Sequence, residues 1–98
     1  MSLLVKYTLK SAEDHAHQTA AMEDLVAGLK AQGVPVQYSC FATDVQTEFI
    51  GVLEFDGEDG LQAFQASAAF EAYKAKVGPT FANPPQTTQI SGIASTRQ

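Results

Sequence analysis

The sequence predicts an α+β fold of the ferredoxin-like type, with its elements in the order β-α-β-β-α-β. Two observations support this prediction. Four short stretches alternate apolar with polar residues or are rich in strand-forming residues, as half-buried strands are. Two longer stretches place apolar residues at helical spacing, one after the first strand and one before the last. The 98 residues, 45% of them hydrophobic, are sufficient for one globular domain spanning 1–98.

The first strand and the first helix are predicted from alternation and capping. Alternating apolar residues predict strand one over Leu3–Leu9. Ser11, with Asp14 three positions later, forms the capping-box pattern of a helix start. We expect this helix to run to about Gln32, because Gly33 can adopt the left-handed conformation that ends a helix. The apolar stripe of the helix consists of Met22, Leu25, Val26 and Leu29.

Strands two and three are predicted to follow each other directly. Pro35 cannot continue a helix, so strand two is expected over Val36–Ala42. The polar turn TDVQT separates it from strand three, Glu48–Phe55, which is rich in residues that favour strands.

A broken helix precedes the last strand. A cluster of turn-forming residues leads into a short helix over Leu61–Ala66. Ser67 can cap a second segment, Ala68–Val77, by accepting a hydrogen bond from a backbone N–H. After a double proline, the last strand is expected over Thr87–Ile93.

Charge and cysteine usage exclude several classes of function. The net charge of −5 argues against nucleic acid or an anionic membrane as a partner, because basic patches bind both. No apolar run approaches the roughly 20 residues of a membrane-spanning helix. The amino-terminal residues do not have the pattern of a signal peptide. Cys40 is the sole cysteine of the sequence, which suits a reducing compartment, so we expect a cytoplasmic location.

Three stretches of the sequence carry a family resemblance. They are YTLKSAEDHAHQTAAMEDLVAGL, EFIGVLEFDGEDGLQAF and ASAAFEAYKAKVGPTFANPPQTTQI, which together span most of the chain. They resemble the opening strand and helix, the third strand with its turn, and the broken helix with its proline-led last strand of the antibiotic-biosynthesis-monooxygenase-like (ABM) proteins. The resemblance implies a dimeric α/β barrel, in which the sheets of two protomers pack face to face.

The resemblance also implies an apolar pocket between the sheet and the helices of each protomer. Some members of the family oxidise phenols or hydroquinones without metal or flavin, and others cleave haem. Haem-degrading members use asparagine, tryptophan and histidine at the positions that correspond to Val5, Phe64 and Lys74. Phe cannot donate a hydrogen bond and a protonated Lys cannot ligate iron, so haem degradation is not expected.

The residues themselves also favour a homodimer. Strands two and three both place apolar side chains on their two faces. Phe49, Leu53 and Phe55 alternate with Ile50 and Val52 in strand three. Two helices can cover one face of the sheet, and a second sheet is then needed to cover the other.

A cavity and a polar end are predicted from these elements. We expect one apolar cavity to be lined by Val5, Val52, Phe64, Phe70 and Tyr73, as binding of a small aromatic ligand requires. Three residues are candidates for catalysis at its polar end. Glu54 or His15 would act as a base, and Lys74 would hold an anionic oxygen.

Each catalytic candidate has a structural alternative. Glu54 could form an ion pair, Lys74 could extend to solvent, and His15 could be a helix-edge histidine with a satisfied hydrogen bond. Tyr7, Tyr38 and Tyr73 could bind a substrate oxygen or serve as core aromatics. His15 and His17 are two positions apart on a helix and so point to different sides, and we expect neither a metal nor a cofactor.

Two functions are therefore carried forward. The first, which rests on the family resemblance, is a cofactor-independent monooxygenase or quinol oxidase acting on a small phenolic or polycyclic compound. The second is a non-catalytic protein that binds a small apolar or aromatic ligand in the same pocket. RNA-recognition modules share the element order, but they need a basic sheet face with paired aromatic residues, which this acidic chain lacks. A stand-alone regulatory ligand-binding module shares the order too and stays open.

Overall fold

The computed structural model describes residues 1–96, which form a four-stranded sheet and three α-helices. The strands all pair antiparallel in the spatial order β2-β3-β1-β4, which is the ferredoxin-like arrangement that the sequence predicted. In chain order the elements are β1 (Ser2–Thr8), α1 (His15–Ala31), β2 (Val36–Ala42), β3 (Glu48–Phe55), α2 (Glu58–Gln65), α3 (Ala68–Val77) and β4 (Gln86–Ile90).

The helix ends are set by the residues that the sequence indicated. The Ser11 hydroxyl accepts a hydrogen bond from the Glu13 backbone N–H at 3.1 Å. It caps a short 3-10 turn, so α1 itself begins only at His15. Gly33 has a φ of 65° and ends α1 in the left-handed region. Ser67 separates α2 from α3, and its hydroxyl accepts from the Phe70 N–H at 3.2 Å.

The last strand is shorter than predicted. It was expected over Thr87–Ile93, but β4 covers Gln86–Ile90. Its pairing partner is β1, and the register joins Ile90 to Ser2, the first residue of that strand. Residues 91–96 therefore have no strand opposite them. The short helix α2 likewise differs, because it begins at Glu58 and ends at Gln65 rather than covering Leu61–Ala66.

The helices cover one face of the sheet, and the core lies between them. We call this the covered face. Its buried strand residues include Val5, Tyr7, Phe49, Leu53 and Phe55, and α1 adds Met22, Leu25 and Leu29. Helix α1 also packs closely on α3. A side chain added at Gly28 would come within 2.9 Å of the Ala69 Cβ, so the approach of the two helices requires a glycine there.

The opposite face of the sheet, which we call the open face, carries the alternate residues of the same strands. Leu4, Ile50 and Val52 lie there half-buried, and Phe41 is 53% exposed. None of the helices of residues 1–96 has the length and apolar character needed to cross a bilayer.

Candidate functional site

A cavity of about 350 Å³ lies between the covered face and the helix pair α2–α3. Its wall is mostly apolar, as expected for a small-molecule site. The lining residues are Leu3, Val5, Tyr7, Leu53, Leu61, Phe64, Gln65, Phe70, Pro85 and Thr87. A larger depression of about 510 Å³, where β2 begins and β3 ends, is more open to solvent and more polar, so the smaller cavity is the better ligand site.

Three of the predicted lining residues meet in this cavity. Val5 comes from the centre of β1, Phe64 from α2 and Phe70 from the first turn of α3. The break at Ser67 brings the two phenylalanines together, because it turns α3 back so that the ring centroids lie 4.5 Å apart. Such tilted aromatic pairs form a flat apolar wall for a ring-shaped ligand.

Val52 and Glu54 do not share that cavity, so their predicted placement there was wrong. The register of β1 and β3 pairs Leu4 with Val52 and Val5 with Gly51. Because paired residues point to the same side of a sheet, Val52 lies on the open face and Val5 on the covered face. Glu54 follows Val52 on the open face and is exposed.

Tyr73 and Lys74 lie beside the cavity without lining it. Tyr73 is buried, and its ring stands edge-on to Tyr7 at a centroid distance of 6.2 Å. The Lys74 ammonium lies 4.8 Å from the centre of the Phe70 ring and forms an ion pair with Glu71 at 2.8 Å. Lys74 thus contacts the outer side of a cavity wall, with its charge already paired.

His15 lies apart from the cavity. Its Nδ1 is 2.9 Å from the Gln46 carbonyl oxygen in the β2–β3 turn, and its ring stacks against Phe49 at 4.8 Å. This placement matches the helix-edge alternative rather than the polar end of a ligand site. The structure therefore brings neither Glu54 nor His15 into the cavity.

A cluster of tyrosine hydroxyls adjoins the cavity through Tyr7, which lines it. Tyr7 in β1 and Tyr38 in β2 flank β3, and their hydroxyl oxygens meet at 2.9 Å. They do so above Gly51, where an added Cβ would come within 2.9 Å of the Tyr38 Oη and 3.3 Å of Tyr7. The missing side chain at Gly51 therefore makes room for the tyrosine pair.

A second part of this cluster comes from the helices. The Gln18 Nε2 donates a hydrogen bond to the Tyr73 hydroxyl at 2.8 Å. Gln18 is 0% exposed, and its Oε1 has no hydrogen-bond partner within residues 1–96. A buried acceptor without a partner costs on the order of 1–3 kcal/mol, so the Gln18 Oε1 lowers the stability of the core.

Burial raises the pKa of all three tyrosines above their ordinary value of 10.0. At Tyr7, hydrogen bonds from Tyr38 and Tyr73 oppose this effect, since both would stabilise its anion. At Tyr38 and Tyr73 the charge of a neighbouring ionised Tyr7 raises the pKa further. At neutral pH all three groups are uncharged phenols, which both donate and accept hydrogen bonds.

Groups that suit metal or thiolate chemistry are scarce in this region. Among residues 1–96, no cluster of three or more His, Cys, Asp or Glu side chains could hold a metal ion. Burial, followed by the charge of Glu23, raises the pKa of the Cys40 thiol, which disfavours the reactive thiolate. What the arrangement offers a ligand is apolar contact and neutral hydrogen bonding.

Sequence reasoning did not single out Gln18 or Gly51, although signals for both were present. Gln18 stands one turn before Met22 in the apolar stripe of α1, so a polar residue there falls on the sheet-facing side. A glycine inside a strand often marks a close approach by another group, and Gly51 interrupts the apolar run from Phe49 to Leu53.

Solved structures of other proteins share this fold at low sequence identity. A Caulobacter crescentus protein, provisionally named an antibiotic biosynthesis monooxygenase, matches with a TM-score of 0.82 at 18% identity, over 95% of this chain and 89% of its own. A protein of the same provisional name from Nitrosomonas europaea matches with a TM-score of 0.78 at 13% identity, over 96% and 100% of the two chains. The chain has the fold of the antibiotic biosynthesis monooxygenase proteins. The resemblance inferred from the sequence is thus confirmed at the level of the fold.

A third structure is that of SnoaB, a cofactor-independent oxygenase from Streptomyces nogalater, in its N63A variant. It matches with a TM-score of 0.75 at 10% identity, over 99% of this chain and 96% of its own. No protein-family profile matches the chain, and no curated protein sequence does.

Proposed function

We propose that this protein binds a small aromatic compound in the cavity between the sheet and α2–α3, and oxidises it with dioxygen without a cofactor. The observation that supports this most directly is the apolar cavity itself, whose volume of about 350 Å³ suits a ligand of one to three rings. The fold likeness to SnoaB, a cofactor-independent oxygenase, supports the class of reaction.

In such a reaction the substrate supplies the electrons. A hydroquinone that loses two electrons and two protons to dioxygen gives a quinone and hydrogen peroxide. A phenol instead takes one oxygen atom of dioxygen into a new ring C–O bond and gives a quinone, while the second oxygen atom leaves as water. Phenols and quinols are therefore the substrate classes that fit. The task of the protein is to hold the ring away from water and to steady the oxygen that becomes anionic. Val5, Phe64 and Phe70 would hold the ring, and the tyrosine cluster beside them would contact the oxygen.

A second candidate function is ligand binding without turnover. A specific observation favours it: among residues 1–96, no carboxylate, imidazole or ammonium group lines the cavity. A reaction that begins with removal of a proton needs a base within hydrogen-bond reach of the substrate. In this protein that base would have to come from the substrate itself, from solvent or from a second copy of the chain.

Oxygen consumption with a panel of hydroquinones separates the two functions. We expect Leu61→Trp to abolish binding and any turnover, because the larger ring fills the cavity from α2. Gln62→Trp is the matched control, since Gln62 is the next residue of the same helix and is exposed. Turnover that survives Leu61→Trp would place the reaction elsewhere, and binding without oxygen consumption in the wild type would establish the second function.

The same assay tests the predicted catalytic roles of Glu54 and Lys74. Both lie outside the cavity wall, so we expect Glu54→Gln and Lys74→Met to change turnover less than about threefold. A loss of about tenfold or more in either variant would mean that the residue takes part in catalysis. Glu54 would then have to act on the cavity of a second copy of the chain.

We further propose that the protein is a homodimer that packs through the open face, in the cytoplasm. Leu4, Ile50 and Val52 form an apolar centre on this face, with Phe41 beside them. Isologous packing of two such faces would remove these side chains from water, as in the family that the sequence resembles.

A further inference from the structure

The polar residues of the cavity wall divide into an inner and an outer set. Tyr7, Gln65 and Thr87 are the polar members of the wall. Gln65 and Thr87 are exposed, whereas Tyr7 is buried to 5% exposure. Tyr7 therefore marks the inner end, where a hydrogen bond to a ligand is shielded from competing water.

We infer that the Tyr7 hydroxyl donates a hydrogen bond to an uncharged oxygen of the aromatic ligand, and that this contact selects the ligand. Tyr38, Tyr73 and Gln18 act as positioning residues that hold Tyr7 in its donating orientation. This inference rests on the proposed function, because it requires that the cavity binds a ligand.

Counting the hydroxyl hydrogens supports this role. One hydrogen lies between Tyr7 and Tyr38, whose oxygens are 2.9 Å apart. Tyr73 accepts its hydrogen bond from Gln18 and stands edge-on to Tyr7, with 6.2 Å between the ring centroids. When Tyr38 donates to the Tyr7 oxygen, the Tyr7 hydrogen is left for a ligand, and the bond from Tyr38 polarises it into a stronger donor.

The cluster is fixed before any ligand arrives. Tyr7 lies against the rings of Phe81, at 5.6 Å, and Tyr73, at 6.2 Å. Tyr38 is held above Gly51, where the absent side chain leaves room for its hydroxyl. A donor held in place by packing loses little freedom on binding, so the hydrogen bond contributes more fully to affinity.

The charge around the cavity determines which oxygen is accepted. No charged side chain of residues 1–96 lines the wall, and the nearby Lys74 is paired with Glu71. A carboxylate or sulfonate brought into this cavity would lose its hydration without gaining a counter-charge. A phenol hydroxyl or a ketone can instead accept from Tyr7 at little desolvation cost. The selected class is therefore uncharged aromatic alcohols and ketones.

The link between Gln18 and Tyr73 can be tested without loss of the fold. Gln18 donates to the Tyr73 hydroxyl at 2.8 Å, and its Oε1 has no partner within residues 1–96. Replacement by methionine, which has a similar shape, would remove this buried polar atom. We expect Gln18→Met to keep or raise thermal stability while weakening the ligand contact that depends on Tyr73.

The central test compares two neutral probes in two proteins. 1-Naphthol and naphthalene differ by one hydroxyl, and their dissociation constants are measured for the wild type and for Tyr7→Phe. We expect Tyr7→Phe to raise the dissociation constant of 1-naphthol by about 3- to 10-fold. The dissociation constant of naphthalene should change by less than twofold, because only 1-naphthol loses a hydrogen bond. 1-Naphthoate should bind the wild type at least about tenfold more weakly than 1-naphthol.

Three variants serve as comparisons. Thr87→Val is the matched control, because it removes the other hydroxyl of the wall at the exposed end, and it should leave the preference for 1-naphthol unchanged. Tyr38→Phe and Gln18→Met should each reduce that preference by a smaller factor than Tyr7→Phe, since they act through Tyr7.

Each outcome has a distinct meaning. If both neutral probes bind but Tyr7→Phe weakens them equally, Tyr7 is only a wall residue and the inference is wrong while the cavity site stands. Equal binding of 1-naphthoate and 1-naphthol by the wild type would overturn the selection of uncharged ligands. If the wild type binds none of the probes, the proposed function and the inference fail together.

Discussion

The covered and open faces of the sheet are made from the same strands, yet their residues contribute differently to the stability of the monomer. Phe49 and Leu53 on the covered face are almost fully buried by the helices of their own chain. Ile50 and Val52, each one residue away, remain half-exposed. Burial contributes to folding only where the apolar surface leaves water, so the covered face stabilises the monomer. The open face contributes only when something else covers it.

The largest difference in stability between the two faces is expected when adjacent residues of β3 are truncated. Phe49→Ala should lower the free energy of unfolding by about 3–5 kcal/mol, because it leaves a cavity in the core. Ile50→Ala should cost less than about 1.5 kcal/mol at concentrations where the protein is monomeric, since its side chain already contacts water. Urea unfolding measures both. Equal losses would mean that the open face is covered within the monomer.

Alkaline pH is expected to destabilise the covered face selectively, because all three tyrosines belong to it or pack on it. Burial raises the pKa of Tyr7, Tyr38 and Tyr73, so the folded state binds protons more tightly than the unfolded state, whose tyrosines titrate near 10.0. Their contribution is fully present below about pH 10 and is lost as pH rises further. The free energy of unfolding should fall by up to about 1.4 kcal/mol per pH unit for each tyrosine.

The measurement follows tyrosinate absorbance together with circular dichroism during an alkaline titration. We expect the absorbance to rise only as the fold is lost, in one joint transition above pH 10. Tyrosinate formation near pH 10 in a protein that keeps its native circular dichroism would contradict the burial of the tyrosine cluster.

Much of the fold could be predicted because local signals mark its boundaries. Pro35 and the polar turn at 43–47 set the ends of β2 and the start of β3, and Ser67 sets the break between α2 and α3. The end of β4 could not be predicted in the same way. It depends on where β1 begins on the neighbouring strand, which is a property of pairing and not of the residues after Ile90.

The candidate site was predicted less completely for a related physical reason. Alternation in β3 separates two sets of residues, but both sets contain apolar side chains, so it does not say which set faces the helices. Val52 and Glu54 were assigned to the wrong set for this reason. The covered set is the one with Gly51, since Tyr7 and Tyr38 meet above it. That close approach depends on three strands at once.

A charge placed on the open face tests whether this face forms the proposed dimer interface. Val52→Lys should leave the monomer folded and weaken the proposed dimer by about 100-fold or more, because the ammonium would be buried without a partner. Ala27→Lys, at an exposed position of α1, is the control that should leave association unchanged. Analytical ultracentrifugation at micromolar concentration measures both. A wild type that stays monomeric there would refute the dimer.

Gly51→Ala is expected to have a smaller effect on stability than Phe49→Ala and the most specific effect on the tyrosine cluster. The new Cβ would lie 2.9 Å from the Tyr38 Oη, 3.2 Å from its Cζ and 3.3 Å from Tyr7. Real Cβ atoms do not tolerate the first of these distances, so the Tyr38 hydroxyl must move from its present position. We expect a loss of about 1–3 kcal/mol, as for other overpacked sites, measured by urea unfolding.

The double variant Gly51→Ala with Tyr38→Phe separates crowding from strand propensity. Removing the Tyr38 hydroxyl deletes the atom nearest to the new methyl group, and the remaining contacts of 3.2 and 3.3 Å need shifts of only a few tenths of an ångström. The two changes should therefore be less destabilising together than the sum of their separate effects, by about 0.5 kcal/mol or more. Strict additivity would mean that the methyl group is accommodated without moving Tyr38. In that case the space at Gly51 would not be required for the contact between the two tyrosines. The helices that pack on the covered face would then be what positions its hydroxyl cluster.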